Sequence, residues 1–234
     1  FFKCKKMNLT KAIVTAMKEE ADLIIKKFGL KETKSLKNIK IFEWTTVWDD
    51  WEENIVLVLW WIWKIQAAIA TTYLLENYSV DKLINIWIAW NLTENDLKVW
   101  DVILPNTFVQ QDMYLPFEWE HLDYAKKPIF LEYAIWENYD LQKFWLILNW
   151  VCATWDEFVD NRERMLELRN DFLADICEME AFAILTTARE YGILDKCIVI
   201  KAISDWADNE AKDAHMNNLE FAMENSIAIL EFVL

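Results

Sequence analysis

The sequence predicts an α/β fold: one sheet with helices on its faces, in a single domain. Strand-like and helix-like segments alternate along the chain, which is the pattern of a sheet whose strands are joined by covering helices. No linker, internal repeat or low-complexity stretch interrupts the 234 residues. A hydrophobic content of 55% is enough for one sizeable core.

The elements follow in order. Residues 1–6 stand apart, as upstream read-through or a disordered extension, because Met7 and the polar residues after it look like a start. Residues 7–234 form the domain. Residues 11–17 predict a first strand. Residues 18–28 predict a helix, with Gly29 placed to close it in the left-handed conformation. Residues 39–42 and 55–59 read as strands. Residues 64–78 have helical periodicity, with Ile65, Ala68, Ile69, Thr72 and Leu75 on one side. Residues 82–88 and 101–104 are again strands. Residues 110–139, rich in aromatics and acids, read as a loop excursion with short elements. Then come a strand at 146–153, a short charged helix at 162–170, a strand at 172–177 and a helix at 179–191 ended by Gly192. A strand at 197–203 and a long helix at 213–233 complete the chain.

Composition excludes several classes. The formal net charge is -15 and the pI about 4.6, which argues against a nucleic-acid backbone or an anionic membrane as partner. The longest apolar stretch, residues 55–63, is far short of the roughly 20 residues of a membrane span. The N-terminus has no long apolar segment of the signal-peptide kind. Cys4, Cys152, Cys177 and Cys197 suit neither a zinc site nor a disulfide framework, so reduced thiols in a cytoplasmic protein are expected. His121 and His215 are the only histidines, too few for a histidine-based catalytic metal site.

One anomaly remains. The chain has fifteen tryptophans and two glycines, where average usage of about 7% would give roughly 16 glycines. The excess of one matches the deficit of the other. The hypothesis is that most tryptophan letters stand for glycine, through a genetic code that assigns UGA to glycine. Position supports it. Trp60, Trp61 and Trp63 crowd a tight strand-to-helix turn, where each indole would bring about 150–250 Å² of surface. Read as glycine, the same turn lets backbone N–H groups approach a ligand. Trp87, Trp90, Trp100, Trp155 and Trp206 likewise stand in turns next to strands.

With those substitutions the chain resembles the methylthioadenosine/S-adenosylhomocysteine nucleosidase family of the nucleoside phosphorylase superfamily. The resemblance runs from about residue 11 to residue 230. It is carried by Ala16-Met17-Lys18-Glu19-Glu20, the turn before Lys64, residues 87–92, residues 98–101, residues 153–159, Glu178-Met179-Glu180, and Ala202-Ile203-Ser204-Asp205. It implies a three-layer α/β/α sandwich with a mixed central sheet. It also implies hydrolysis of the N-glycosidic bond of an adenine nucleoside: methylthioadenosine, S-adenosylhomocysteine or 5′-deoxyadenosine.

That chemistry needs an acid to protonate the departing purine, a carboxylate to activate water, and acceptors that orient the ribose. By the resemblance Asp205 is the acid acting at N7, supported by Ser204. Glu20 is the group that activates water. Glu180 accepts from the ribose 2′- and 3′-hydroxyls, Met179 packs against the sugar, and Glu178 belongs to the same substrate-binding segment. Phe158 stacks on adenine, and Val159 meets it through its backbone. No cofactor or metal is implied; a homodimer and a small nucleoside substrate are.

Phosphorylases of the superfamily grip phosphate with arginines from the N-terminal half, and this chain has no arginine before Arg162. Water is therefore the expected nucleophile. Two features depart from the family: Lys201 stands where arginine is common, and residues 111–116 and the stretch after them do not match the usual loop. Tyr114, Phe117 and Glu118 there could form a dimer contact instead. The competing readings are a phosphorylase, another N-ribosyl hydrolase such as a futalosine hydrolase, and a non-catalytic nucleoside binder. A further one takes the tryptophans literally, as aromatics that bind sugars or partners.

Overall fold

A computed structural model of the chain describes residues 7–47, 51–93, 96–113, 127–133, 147–148, 150–206 and 211–234. The expectations for residues 1–6 and for Tyr114, Phe117 and Glu118 lie outside the described residues.

The first strand, β1 (Met7–Thr15), leads into α1 (Lys18–Phe28). The helix has Glu19 and Glu20 in its first turn and Lys26 and Lys27 in its last, which complements the helix dipole. Gly29 closes it at φ 66°, with its N–H donated to Ile25 O. Strands β2 (Lys31–Ser35), β3 (Lys40–Val47) and β4 (Trp51–Leu59) follow. The wholly exposed β2 has no apolar period, so its pattern carries no strand signal.

Helix α2 (Lys64–Asn77) forms where its periodicity places it, but it buries a different stripe. Ala67, Ala70, Thr71 and Leu74 face inward, while Ile65 and Ile69 are 70% and 49% exposed. The small side chains on the inner stripe let α2 approach β1 and α4 closely, which the bulkier stripe would not.

The long β5 (Val80–Asn91) is almost entirely buried. Beyond it lie β6 (Val102–Leu104), β7 (Thr107–Gln110), β8 (Ile129–Phe130), β9 (Ile147–Leu148) and β10 (Val151–Thr154). The single strand expected over 146–153 is thus two: β9 pairs with β6, whereas β10 pairs with β7 and β11. Helix α3 (Arg162–Phe172) is capped by the Asn161 side chain, which accepts from Arg164 N at 2.9 Å. It takes in Phe172, and Leu173 turns left-handed at φ 52°, so the next strand, β11, starts only at Ile176 and covers Ile176–Glu178. Then come α4 (Ala181–Glu190), β12 (Cys197–Asp205) and α5 (Ala211–Val233).

The strands make one mixed sheet in the order β2-β3-β4-β1-β5-β11-β10-β7-β8, with β12, β6 and β9 branching from β5. Helix α5 packs on β12, β5 and α1, and α2 packs on α4 and β1, which gives helix, sheet and helix layers. The length of β5 is what brings the halves together. Along one edge it pairs parallel with β1 through its first part and antiparallel with β11 at Trp90 and Asn91. Its other edge pairs parallel with β12. Trp90 therefore lies between Cys177 of β11 and Asp205 of β12.

All nine residues of β12 are buried. Each fully buried aliphatic side chain contributes about 1.5–3 kcal/mol. A lysine, a serine and an aspartate at 201, 204 and 205 of such a strand are costly unless partnered. Their partners mark out the site.

Candidate active site

Asp205 ends β12 and is fully buried. The pairing register with β5 slips between Ile203 and Asp205, leaving Ser204 as a bulge. Such a bulge re-aims the side chains next to it. Ser204 Oγ sits 2.7 Å from Asp205 Oδ2 and 3.5 Å from Ala89 O, and Asn218 Nδ2 donates to Ser204 O at 2.9 Å. Helix α5 thus holds the bulge from behind.

Glu20 stands at the same carboxyl end of the parallel strands, in the first turn of α1, just after β1. Its carboxylate is fully buried. Oε2 accepts from Thr15 Oγ1 at 3.2 Å and Met17 N at 3.4 Å, and Oε1 has no partner. Burial first, and the Glu180 carboxylate second, push its pKa well above the ordinary 4.5. Thr15 is a participant that sequence reasoning missed; a polar residue ending an apolar strand was its signal.

Glu180 stands at the start of α4 and is also buried. Oε1 accepts from Trp63 N at 3.3 Å, and Oε2 has no partner. Burial, with the Glu178 charge adding to it, pushes its pKa up to about 8. Glu178, expected in the substrate-binding segment, is instead engaged by protein on both oxygens. It accepts from Glu180 N at 3.1 Å, from Ala181 N at 2.9 and 3.1 Å, from Thr154 Oγ1, and from Lys201 Nζ at 2.8 Å.

Val159 and Met179 fall in one buried cluster with Trp90 and Trp155, and Phe158 packs against it. Phe158 meets the Trp90 ring edge to face at 4.7 Å between centroids. The structure therefore gathers the expected residues into an apolar wall beside buried acids. A separate crevice of 400 Å³, lined by Lys82, Tyr133, Lys196 and Val233 among others, lies at the amino ends of β5 and β12, away from these carboxylates.

Lys64 Nζ, at the start of α2, pairs with Asp112 and with Asp156 at 3.5 Å. Lys64 N donates to Asp156 Oδ1 at 3.1 Å, and Asp156 N to Asp112 Oδ2 at 3.1 Å. This cluster ties the start of α2 to the turns after β7 and β10, and no spacing in the sequence announced it. Among the described residues no group of three or more His, Cys, Asp or Glu side chains is arranged to hold a metal ion.

Comparison with known proteins follows the same lines. The model of the phosphorylase superfamily matches residues 10–234. An aminodeoxyfutalosine nucleosidase of Helicobacter pylori is 27% identical, over 94% of this chain and 95% of its own. A 5′-methylthioadenosine/S-adenosylhomocysteine nucleosidase of Bacillus subtilis is 27% identical, over 95% of this chain and 96% of its own. The crystal structure of a 5′-methylthioadenosine/S-adenosylhomocysteine nucleosidase from Helicobacter pylori matches at a TM-score of 0.81 and 23% identity, with 98% of both chains covered. That of the Neisseria meningitidis nucleosidase matches at 0.80 and 23%, covering 96% and 97%. At that identity the structures establish the fold.

Proposed function

The chain belongs to the phosphorylase superfamily, and from that premise we propose that it is an N-ribosyl hydrolase that cleaves adenine from an adenine nucleoside: methylthioadenosine, S-adenosylhomocysteine or 5′-deoxyadenosine. The observation that carries the reading is a pair of buried carboxylate oxygens without partners, Glu20 Oε1 and Glu180 Oε2. Such atoms inside a protein call for a partner. A water at Glu20 and a ribose hydroxyl at Glu180 supply them. Asp205, held by Ser204, gives its proton to the departing purine. The purine leaves as a neutral base, Glu20 takes a proton from the attacking water, and the oxygen bonds to the anomeric carbon. Phe158, Val159 and Met179 enclose base and sugar.

Water, rather than phosphate, is the nucleophile in this reading. Lys64 and Lys201, the cations beside these acids, are each already bound to carboxylates. Arg164 pairs with Glu167, and Arg169 donates to Leu92 O. An incoming phosphate would have to displace one of these contacts.

The same proposal takes residues 7–234 as one domain and the protein as a cytoplasmic homodimer. Ile65 and Ile69, exposed one helical turn apart on α2, supply an apolar face for a second copy. The free thiols of Cys152, Cys177 and Cys197 suit a reducing compartment. Among the described residues no helix is long and apolar enough to cross a membrane.

The experiment is adenine release from methylthioadenosine, S-adenosylhomocysteine, 5′-deoxyadenosine and aminodeoxyfutalosine, with and without inorganic phosphate. Phosphate-independent release from at least one is expected. Release only with phosphate makes it a phosphorylase, and tight binding without release makes it a binder.

A further inference from the structure

Glu180 opens α4, yet its carboxylate makes no bond to the helix's own first turn. The N–H donors of a helix start are ordinarily met by the side chain at that position. Here Glu178 meets those of Glu180 and Ala181, while Thr154 Oγ1 accepts from Phe182 N at 3.0 Å and itself donates to Glu178. Capping is thus delegated to Glu178, and the Glu180 carboxylate is left turned toward Trp63 N with one oxygen open. Lys201, four residues before Asp205 on β12, lies 2.8 Å from Glu178 with both side chains fully buried.

We propose that Lys201 is a positioning residue that anchors Glu178 as the cap of α4 and thereby keeps the Glu180 carboxylate aimed at the substrate. The proposal rests on the reading of Glu180 as a ribose-binding group. Lys201→Met alone leaves an unpaired buried carboxylate, which can unfold the protein. The decisive variant is therefore Lys201→Met with Glu178→Gln, which removes both charges and keeps an amide oxygen for the cap. Glu178→Gln alone carries the same test if the double variant does not fold.

Displacing a positioned group costs rate steeply, so a fall in kcat/KM of at least about tenfold is expected while the melting temperature stays near that of the wild type. Lys201→Arg is expected to retain kcat/KM within about threefold, and the loss is expected to shrink to about threefold or less in a Glu180→Gln background. An undiminished loss in that background, or an unchanged kcat/KM in the folded variant, overturns the proposal. A wild type that releases adenine from no nucleoside overturns the underlying function instead.

A second, independent set of observations concerns the tryptophans. Besides Leu173, the only described residues other than glycine at positive φ are Trp63, at 109°, and Trp100, at 76°. Trp63 has ψ 144°, close to a region populated essentially by glycine alone. Both glycines of the chain are at positive φ as well. Trp60, Trp90 and Trp155 are buried with indole N–H groups that have no acceptor, although buried indoles usually find one.

These residues touch the site through their backbones. Trp60 N donates to Thr15 O, Trp63 N to Glu180, and Trp155 N to Glu178 O, while Trp90 pairs in register with Asp205. We infer that positions 60, 63, 90, 100 and 155 are glycine in the protein made by its own cells, so that at 60, 63, 90 and 155 backbone, not indole, faces the nucleoside site. Peptide mass mapping of the protein isolated from those cells decides it. Masses lighter at each of the five positions, by an indolylmethyl group replaced with hydrogen, are expected. Tryptophan masses at 63 and 100 would sink the inference. Protein expressed from a gene carrying glycine codons at the five positions is expected to outperform the tryptophan form in adenine release; equal or lower activity counts against it.

Discussion

Burial, and after it the charge of the Glu180 carboxylate, push the pKa of Glu20 well above the ordinary 4.5. The proposed water-activating group is thus tuned by the proposed ribose-binding group. Removing the charge of Glu180 lowers the pKa of Glu20, because a like charge no longer opposes ionisation. Glu180→Gln is therefore expected to move the acid limb of kcat/KM to lower pH, whatever it does to the absolute rate. A pH–rate profile of both proteins checks this, and an unmoved acid limb contradicts it.

The same burial links stability to pH. The Glu180 pKa rises from an ordinary 4.5 to about 8 in the folded protein. The folded state thus holds a proton that the unfolded chain has released. Its contribution to stability is complete below about pH 4.5 and is lost as the pH rises through about 8. Glu180→Gln has no such proton to lose, so it should gain stability relative to the wild type across that window. Thermal unfolding of the substrate-free proteins at several pH values measures it; a difference that does not vary with pH would remove the assignment.

Asp205→Asn should separate binding from chemistry. The amide keeps the shape and the contact with Ser204 but cannot release a proton to the purine. A loss of about 10²–10⁴-fold in kcat is expected, with nucleoside binding retained by calorimetry. Retained turnover would move the acid elsewhere.

Ser204→Ala removes the hydroxyl 2.7 Å from Asp205. Hydrogen bonds to charged groups contribute about 1.5–3 kcal/mol, so kcat should fall by roughly ten- to a hundredfold with KM little changed. A change confined to KM would place Ser204 on the substrate rather than on the acid.

Backbone strain offers a test free of catalysis. Trp100 is 49% exposed at φ 76°, so little packing is lost when its indole goes. Trp100→Gly is expected to stabilise by about 1 kcal/mol, and Gly29→Ala, at φ 66°, to destabilise by a similar amount. Denaturant midpoints read both, and a destabilised Trp100→Gly would contradict the strain argument.

The order of elements was legible because helices such as α1 carry their own stop signals and the apolar runs of β5 and β12 leave little choice of environment. The resemblance points to Glu20, Glu180 and Asp205, and the structure buries all three at junctions where strands end. What was hidden depends on packing. The inner stripe of α2 was masked by its larger neighbours Ile65 and Ile69, because small residues win where helices come close. Residues 146–153 read as one strand, since periodicity cannot tell which neighbour a strand pairs with. The engagement of Glu178 by Lys201, and the cluster of Lys64 with Asp112 and Asp156, join segments far apart in sequence, which no local pattern reports.

Because Glu178 and Lys201 neutralise each other in a dry interior, drift at one position is bound to the other. Loss at one is therefore expected to be matched by loss at the other. A descendant that loses the acid at 178 should also lose the cation at 201, and an arginine for the lysine is the exchange that leaves the pair intact. Covariation between two positions on different strands is the trace expected of a delegated helix cap in a lineage.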